Sequence, residues 1–120
     1  MWKKLSFPLH RIAILYRLHM KTLIQKITPA ILDSRKIRVS THDGHNMVVR
    51  PHIVIRKKQG NEILKSMLDN GDCMDIPLQK IKGISILAEN FAIDSTCLNF
   101  DFEEYELVFP RREDWVRFKA

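Results

Sequence analysis

The sequence predicts one α+β domain: an N-terminal helix, a small antiparallel β-barrel or curled sheet of about five strands, and a C-terminal extension. Apolar residues recur at helical spacing before residue 32, and the period falls to two after Arg35. Turn sequences rich in Gly, Asp and Asn then separate short apolar segments. With 120 residues, of which 45% are hydrophobic and 28% charged, the chain fits one globular domain rather than a disordered one.

The N-terminal region is predicted to be helical but divided in role. Residues 1–19 are basic and lack acids, and we interpret them as an arm or extension that precedes a single domain over residues 20–120. The arm could dock or fray, contribute little to the fold, or act as a targeting segment. Pro29 interrupts the helical pattern, which predicts one helix before it and a short one from Ala30 to Ser34.

The first two strands are predicted to form a hairpin. Ile37 and Val39 alternate with cationic and polar residues, which indicates a half-buried strand with a cationic outer face. The Asp-Gly pair in residues 42–46 favours a tight turn. Residues 47–55 then form the second strand, in which Pro51 predicts an edge position or a bulge.

The rest of the chain is predicted as short strands and turns. A third strand covers residues 63–68, a fourth short segment begins at Met74, and residues 81–87 form a strand or a tight turn leading into one. Alternation from Leu98 to Phe109 slips by one residue at Glu103-Glu104, which predicts one bent strand or two short ones with an acidic outer face. A final helical turn is expected over residues 111–120, anchored by Trp115 and Phe118.

Charge is distributed unevenly along the chain. Residues 1–58 carry 13 Lys and Arg against two acids, a net charge of +11, whereas residues 59–120 carry 7 against 12, a net charge of −5. The basic half suggests an anionic partner, such as nucleic acid or a nucleotide-type ligand. The cations expected to form the binding surface on the first two strands are Arg38, Arg50, Arg56, Lys57 and Lys58. The alternative is a solvated surface that balances the acidic C-terminal face within the fold.

The order of these segments resembles the WYL domain, a small Sm-like β-barrel of prokaryotic regulators. Three segments carry the resemblance, which covers about residues 23–93: ILDSRKIRVSTHDG, RPHIVIRKKQGNEIL and IPLQKIKGISILAENF. Pro51 matches the proline of the family's second strand, and Leu78 with Ile81 matches its Leu-x-x-Ile pair. The name-giving Trp-Tyr-Leu falls on Glu62-Ile63-Leu64, so only the Leu is kept. The resemblance implies a regulatory module that binds a ligand, such as nucleic acid or a nucleotide, and it does not imply an enzyme.

Other chemistry has weaker support in the sequence. His42, His45 and His52 with Asp43 could ligate a metal, but their spacing matches no common site, and no metal or cofactor is expected. No nucleophile motif or phosphate-binding loop is present, so we do not expect an enzyme.

Compartment and assembly are also predicted from composition. Cys73 and Cys97 are interpreted as buried, reduced thiols of a cytoplasmic protein, and no membrane span is expected. The acidic C-terminal strand could instead pair with a partner protein or a second copy.

Overall fold

A computed structural model describes residues 9–111 of the chain. It contains one helix and six strands, joined in part by two short 3₁₀ helices at Leu78–Lys80 and Ser95–Leu98. The main elements, in chain order, are α1 (Leu9–Leu32), β1 (Arg35–Thr41), β2 (Asn46–Lys57), β3 (Glu62–Met67), β4 (Cys73–Pro77), β5 (Ile81–Asn90) and β6 (Tyr105–Phe109). The expected helical turn over residues 111–120 lies almost entirely outside the described residues.

The helix α1 is continuous through Pro29, so the predicted break into two helices is wrong. Pro29 lies in the last turn, where its missing N–H costs one intrahelical hydrogen bond, and its carbonyl still accepts from the Asp33 N–H at 3.0 Å. The boundary drawn between residues 19 and 20 falls inside this helix. The C-terminal half of α1 packs on the sheet through Met20, Leu23, Ile27, Ala30 and Ile31.

The strands form one antiparallel sheet in the order β4-β3-β2-β1-β5, with β6 paired to the far end of β2. The long strand β2 organises it, because β1 pairs with residues 46–49 and β6 with residues 54–57. No pairing between β4 and β5 closes the sheet within residues 9–111. The predicted α+β class is therefore confirmed, with the curled sheet rather than the closed barrel.

A bulge in β2 confirms the interpretation of Pro51. Pro51 pairs with Ser66 of β3 and Ile53 with the next residue, Lys65, so His52 is the extra residue on β2. One extra residue reverses the faces to which later side chains point.

The core lies between α1 and the sheet. Val39, Val49, Leu64 and Ile81 are buried there with the apolar side of the helix. Ile53 and Ile55 are also buried but lie outside this cluster, on the opposite side of β2. Their burial shows that part of the second sheet face is covered as well.

The C-terminal segment differs from its prediction. Only Tyr105–Phe109 forms a strand, whereas residues 95–98 form a 3₁₀ helix and residues 102–104 a turn. The Asp94 side chain caps this short helix by accepting from the Thr96 N–H at 3.0 Å. A local hydrogen bond thus competes successfully with the alternating pattern that predicted a strand at Leu98 and Phe100.

Cys73 and Cys97 form a disulfide, so the prediction of two reduced thiols is wrong. Their Cα atoms are 5.8 Å apart, which brings the short helix of residues 95–98 against the first residue of β4. None of the helices described is long and apolar enough to cross a membrane.

Candidate anion-binding surface

The five predicted cations do not share one face of the sheet. The side chains of two paired residues on neighbouring strands point to the same side of the sheet. Because β3 has no bulge, the positions of its residues show to which side their partners on β2 point. Arg50 pairs with Met67 and Arg56 with Glu62, which are five positions apart on β3 and therefore point to opposite sides. The equal parity of Arg50 and Arg56 in sequence is misleading because the bulge at His52 lies between them.

Arg56 lies on the helix side of the sheet and is neutralised there. It forms ion pairs with Glu106 of β6 and, at 3.8 Å, with Glu62 of β3. Its Nε also donates to Glu106 at 2.6 Å. Two carboxylates on flanking strands thus occupy the guanidinium, and Arg56 is removed from the set of free cations.

Arg50 lies on the outer face, away from the helix, in a small ion-pair network. Asp69 is 3.4 Å from the Arg50 guanidinium and 3.5 Å from Lys36 Nζ, and Lys36 also pairs with Glu89 at 3.1 Å. The Nε of Arg50 is buried and lacks a hydrogen-bond partner among the described residues. The network balances two cations with two carboxylates, so Arg50 contributes little net positive charge.

Arg38, Lys57 and Lys58 are the predicted cations that remain available. All three are exposed, and none forms an ion pair within residues 9–111. Arg38 pairs with Val48 on β2 and with Ser85 on β5, so neither of its direct cross-strand partners is charged. Lys57 lies nine residues beyond Val48 on the same strand, which corresponds to about 30 Å at the rise of an extended strand.

The surface next to Lys57 and Lys58 is mixed in charge. The Lys58 N–H donates to the Glu104 carbonyl at 2.9 Å, which holds the acidic turn of residues 101–104 beside the two lysines. Phe102 in this turn is 73% exposed and its ring lies 4.4 Å from that of Phe100. An exposed aromatic side chain therefore does lie near the cations, a feature that the sequence pattern did not indicate.

The structure separates the histidines considered as metal ligands. His45 lies 3.0 Å from Asp43 in the β1–β2 turn, whereas His52 is buried in the bulge. His52 contacts the Arg50 carbonyl through Nδ1 at 2.8 Å and the Asp94 N–H through Nε2 at 3.0 Å. Residues 9–111 contain no cluster of three His, Cys, Asp or Glu side chains that could hold a metal ion.

Comparisons with protein-family profiles, with curated proteins and with solved structures each return no match to this chain. The resemblance to the WYL domain therefore stays a hypothesis, and function must be argued from the geometry of the side chains.

Proposed function

We propose that the protein is a non-enzymatic, WYL-like regulatory or accessory module that contacts the phosphates of nucleic acid through Arg38, Lys57 and Lys58. The observation that carries this proposal is that these cations are exposed and have no carboxylate partner in the described part of the chain. Phosphate contacts need cations that are free to replace the counterions of the nucleic acid. Arg50 is a secondary contact because it is shared with Asp69.

The spacing of the cations favours an extended polyanion over a single nucleotide. Arg38 and Lys57 are separated by at most about 30 Å along β2, from the rise of a strand and with the bulge at His52 between them. Double-stranded DNA presents phosphates over such a distance, whereas one nucleotide does not. Binding by this surface would depend mainly on charge, because backbone contacts fix position without reading the base sequence.

A fluorescence anisotropy titration with labelled duplex and single-stranded oligonucleotides at low salt tests the proposal. We expect the triple variant Arg38→Gln/Lys57→Gln/Lys58→Gln to bind at least tenfold more weakly than the wild type, because three phosphate contacts are lost. Arg38→Gln and Arg56→Gln form the matched pair, since each removes one charge, but the Arg56 guanidinium is held by Glu106 and Glu62 and its loss should leave the affinity unchanged. Equal affinity of the triple variant and the wild type would exclude this surface.

A second candidate function is self-association or protein binding through the acidic C-terminal segment. In the described residues β6 pairs only with β2, which leaves its other edge free, and Phe102 is largely exposed beside it. Light scattering over a range of concentrations tests this function. A dimer that dissociates in Phe102→Ser or Tyr105→Ser would support it, and a monomer at all concentrations would exclude self-association.

A cytoplasmic location remains part of the proposal. The Cys73–Cys97 disulfide is unusual for that location, because disulfides are rare in reducing compartments. Those that do form there are often redox-responsive. Alkylation of free thiols in intact cells before lysis measures the state of the two cysteines. Unmodified, oxidised cysteines would argue for an oxidising compartment.

A further inference from the structure

A cleft opens between the β1–β2 turn and β4, at the end of β2 opposite Lys57. Its volume of about 530 Å³ lies within the range of small-molecule sites. Four apolar side chains belong to its lining: Met47, Met74, Ile76 and Pro77. Methionine side chains adapt to ligands of different shape, and such a lining suits the apolar body of a small molecule.

The two carboxylates of the cleft already have partners. Asp43 accepts a hydrogen bond from the Thr41 hydroxyl and lies 3.0 Å from His45 Nδ1. These contacts lower the pKa of Asp43 to about 2. Asp75 pairs with Lys65 at 3.0 Å. Asp75 is therefore neutralised by Lys65, and an ionised Asp43 accepts from two groups of its own turn.

The polar groups left without acceptors at the cleft are cationic or proton-donating. Lys80 is exposed and forms no ion pair within residues 9–111. The backbone N–H of His42 donates to the backbone carbonyl of Lys80 at 3.1 Å. This bond holds the two residues beside each other at the cleft. The ring of His42 lies 6.0 Å from that of His19, so a second imidazole supports its position.

We propose that this cleft binds a small amphipathic anion, namely an aromatic or aliphatic body that carries one carboxylate, sulfonate or phosphate group. Lys80 and His42 contact the anionic group, and Met47 and Met74 contact the body. The site differs from the proposed nucleic-acid surface, since it shares no residue with Arg38, Lys57 and Lys58.

A methyl-detected NMR titration with three probes of similar shape tests the site. The probes are 2-naphthoate, the neutral 2-naphthamide and the cationic 2-naphthylmethylammonium. We expect naphthoate to shift the methyl resonances of Met47 and Met74 and to bind about two- to fivefold more tightly than naphthamide, as for one exposed ion pair. Tighter binding of the ammonium probe, or no shift of either methyl group with naphthoate, would overturn the proposal.

Two variants identify the residue that provides the charge. Lys80→Gln should lower the affinity for naphthoate to that for naphthamide, whereas Lys82→Gln, an exposed lysine outside the cleft lining, should leave both affinities unchanged. An unchanged affinity in Lys80→Gln would contradict the assignment. The triple variant Arg38→Gln/Lys57→Gln/Lys58→Gln should bind naphthoate like the wild type, so this proposal and the nucleic-acid proposal can fail independently.

Discussion

Arg38 and Arg56 show how neighbours decide the role of an identical side chain. Both lie on strands and both are exposed at the surface. Arg56 is held between Glu106 and Glu62, whereas Arg38 lies between Val48 and Ser85 and has no charged partner within the described residues. Only the Arg38 guanidinium can exchange water and counterions for a phosphate without first breaking an ion pair.

His52 is a buried side chain with a defined protonation state. The contacts at 2.8 Å to the Arg50 carbonyl and 3.0 Å to the Asp94 N–H are both satisfied when Nδ1 carries the proton and Nε2 is an acceptor. Burial lowers the pKa of His52 below its ordinary value of 6.5. A second proton on Nε2 would face the Asp94 N–H and break that hydrogen bond.

This arrangement predicts that stability falls on mild acidification. Below about pH 6.5 the unfolded chain binds a proton at His52 that the folded chain does not, so the free energy of unfolding decreases as the pH falls. The decrease is at most about 1.4 kcal/mol per pH unit for one group. Urea unfolding between pH 8 and pH 5.5 measures this decrease in the free energy of unfolding. The neighbouring Asp94 does not titrate in this range, because its pKa lies below 3.8.

The matched variants for this measurement are His52→Phe and His45→Gln. His52→Phe should be less stable at every pH but should show a flatter pH dependence, because the buried titrating group is gone. His45 is exposed in the β1–β2 turn beside Asp43, and its replacement should change the slope less than the replacement of the buried His52 does. A wild-type stability that is constant between pH 8 and pH 5.5 would contradict the neutral, buried state of His52.

At the scale of elements, residues 91–98 are bonded to the rest of the fold at three points. The Phe91 N–H donates to the Ser34 carbonyl at 2.9 Å, the Asp94 N–H donates to His52, and Cys97 is bonded to Cys73. The Phe91 ring also lies 5.2 Å from the ring of His52. This segment has no strand pairing of its own, so these contacts determine its position on the sheet.

The disulfide is expected to make a large contribution to stability. It joins residues 24 positions apart, and closing a loop of that length stabilises the folded state by about 3.5 kcal/mol in the chain-entropy description. Cys73→Ser/Cys97→Ser should lower the free energy of unfolding by about this amount. Dithiothreitol should lower the urea midpoint of the wild type and leave that of the double variant unchanged. An equal midpoint of the wild type with and without reductant would show that the bond is absent in solution.

For the whole molecule, the basic and acidic halves of the sequence are partly compensated by folding. Lys36, Arg50 and Arg56 of the basic half each pair with an acid from the second half of the chain. The three cations of the proposed nucleic-acid surface escape this pairing within residues 9–111. Folding converts a charge difference along the sequence into local positive regions.

This distribution predicts the salt dependence of nucleic-acid binding. Three phosphate contacts on duplex DNA give a slope of about −2.7 for the logarithm of the association constant against the logarithm of salt concentration. Arg38→Gln should reduce that slope by about one contact, while Arg56→Gln should leave it unchanged. Titrations at four salt concentrations measure the slope for each protein. A slope near zero for the wild type would rule out binding driven by phosphate contacts.

Local patterns in the sequence predicted much of the architecture. The helical period up to Leu32, the change to period two after Arg35, the Asp-Gly turn and the proline of β2 each depend on residues within a few positions of one another. Gly44 at the first hairpin turn adopts a φ of 91°, as that turn requires. Such features are determined by backbone sterics and side-chain alternation, which are properties of the sequence itself.

The tertiary structure decided which side chains meet. Arg56 and Glu106 are 50 positions apart, Cys73 and Cys97 are 24 apart, and the cleft joins the β1–β2 turn to β4. The single extra residue at His52 also moved Arg56 to the opposite face from Arg50. Contacts over such separations depend on strand register and packing, and one bulge changes every later side-chain direction. The sequence therefore determined the elements and the excess of cations, whereas the fold alone decided which cations stay free.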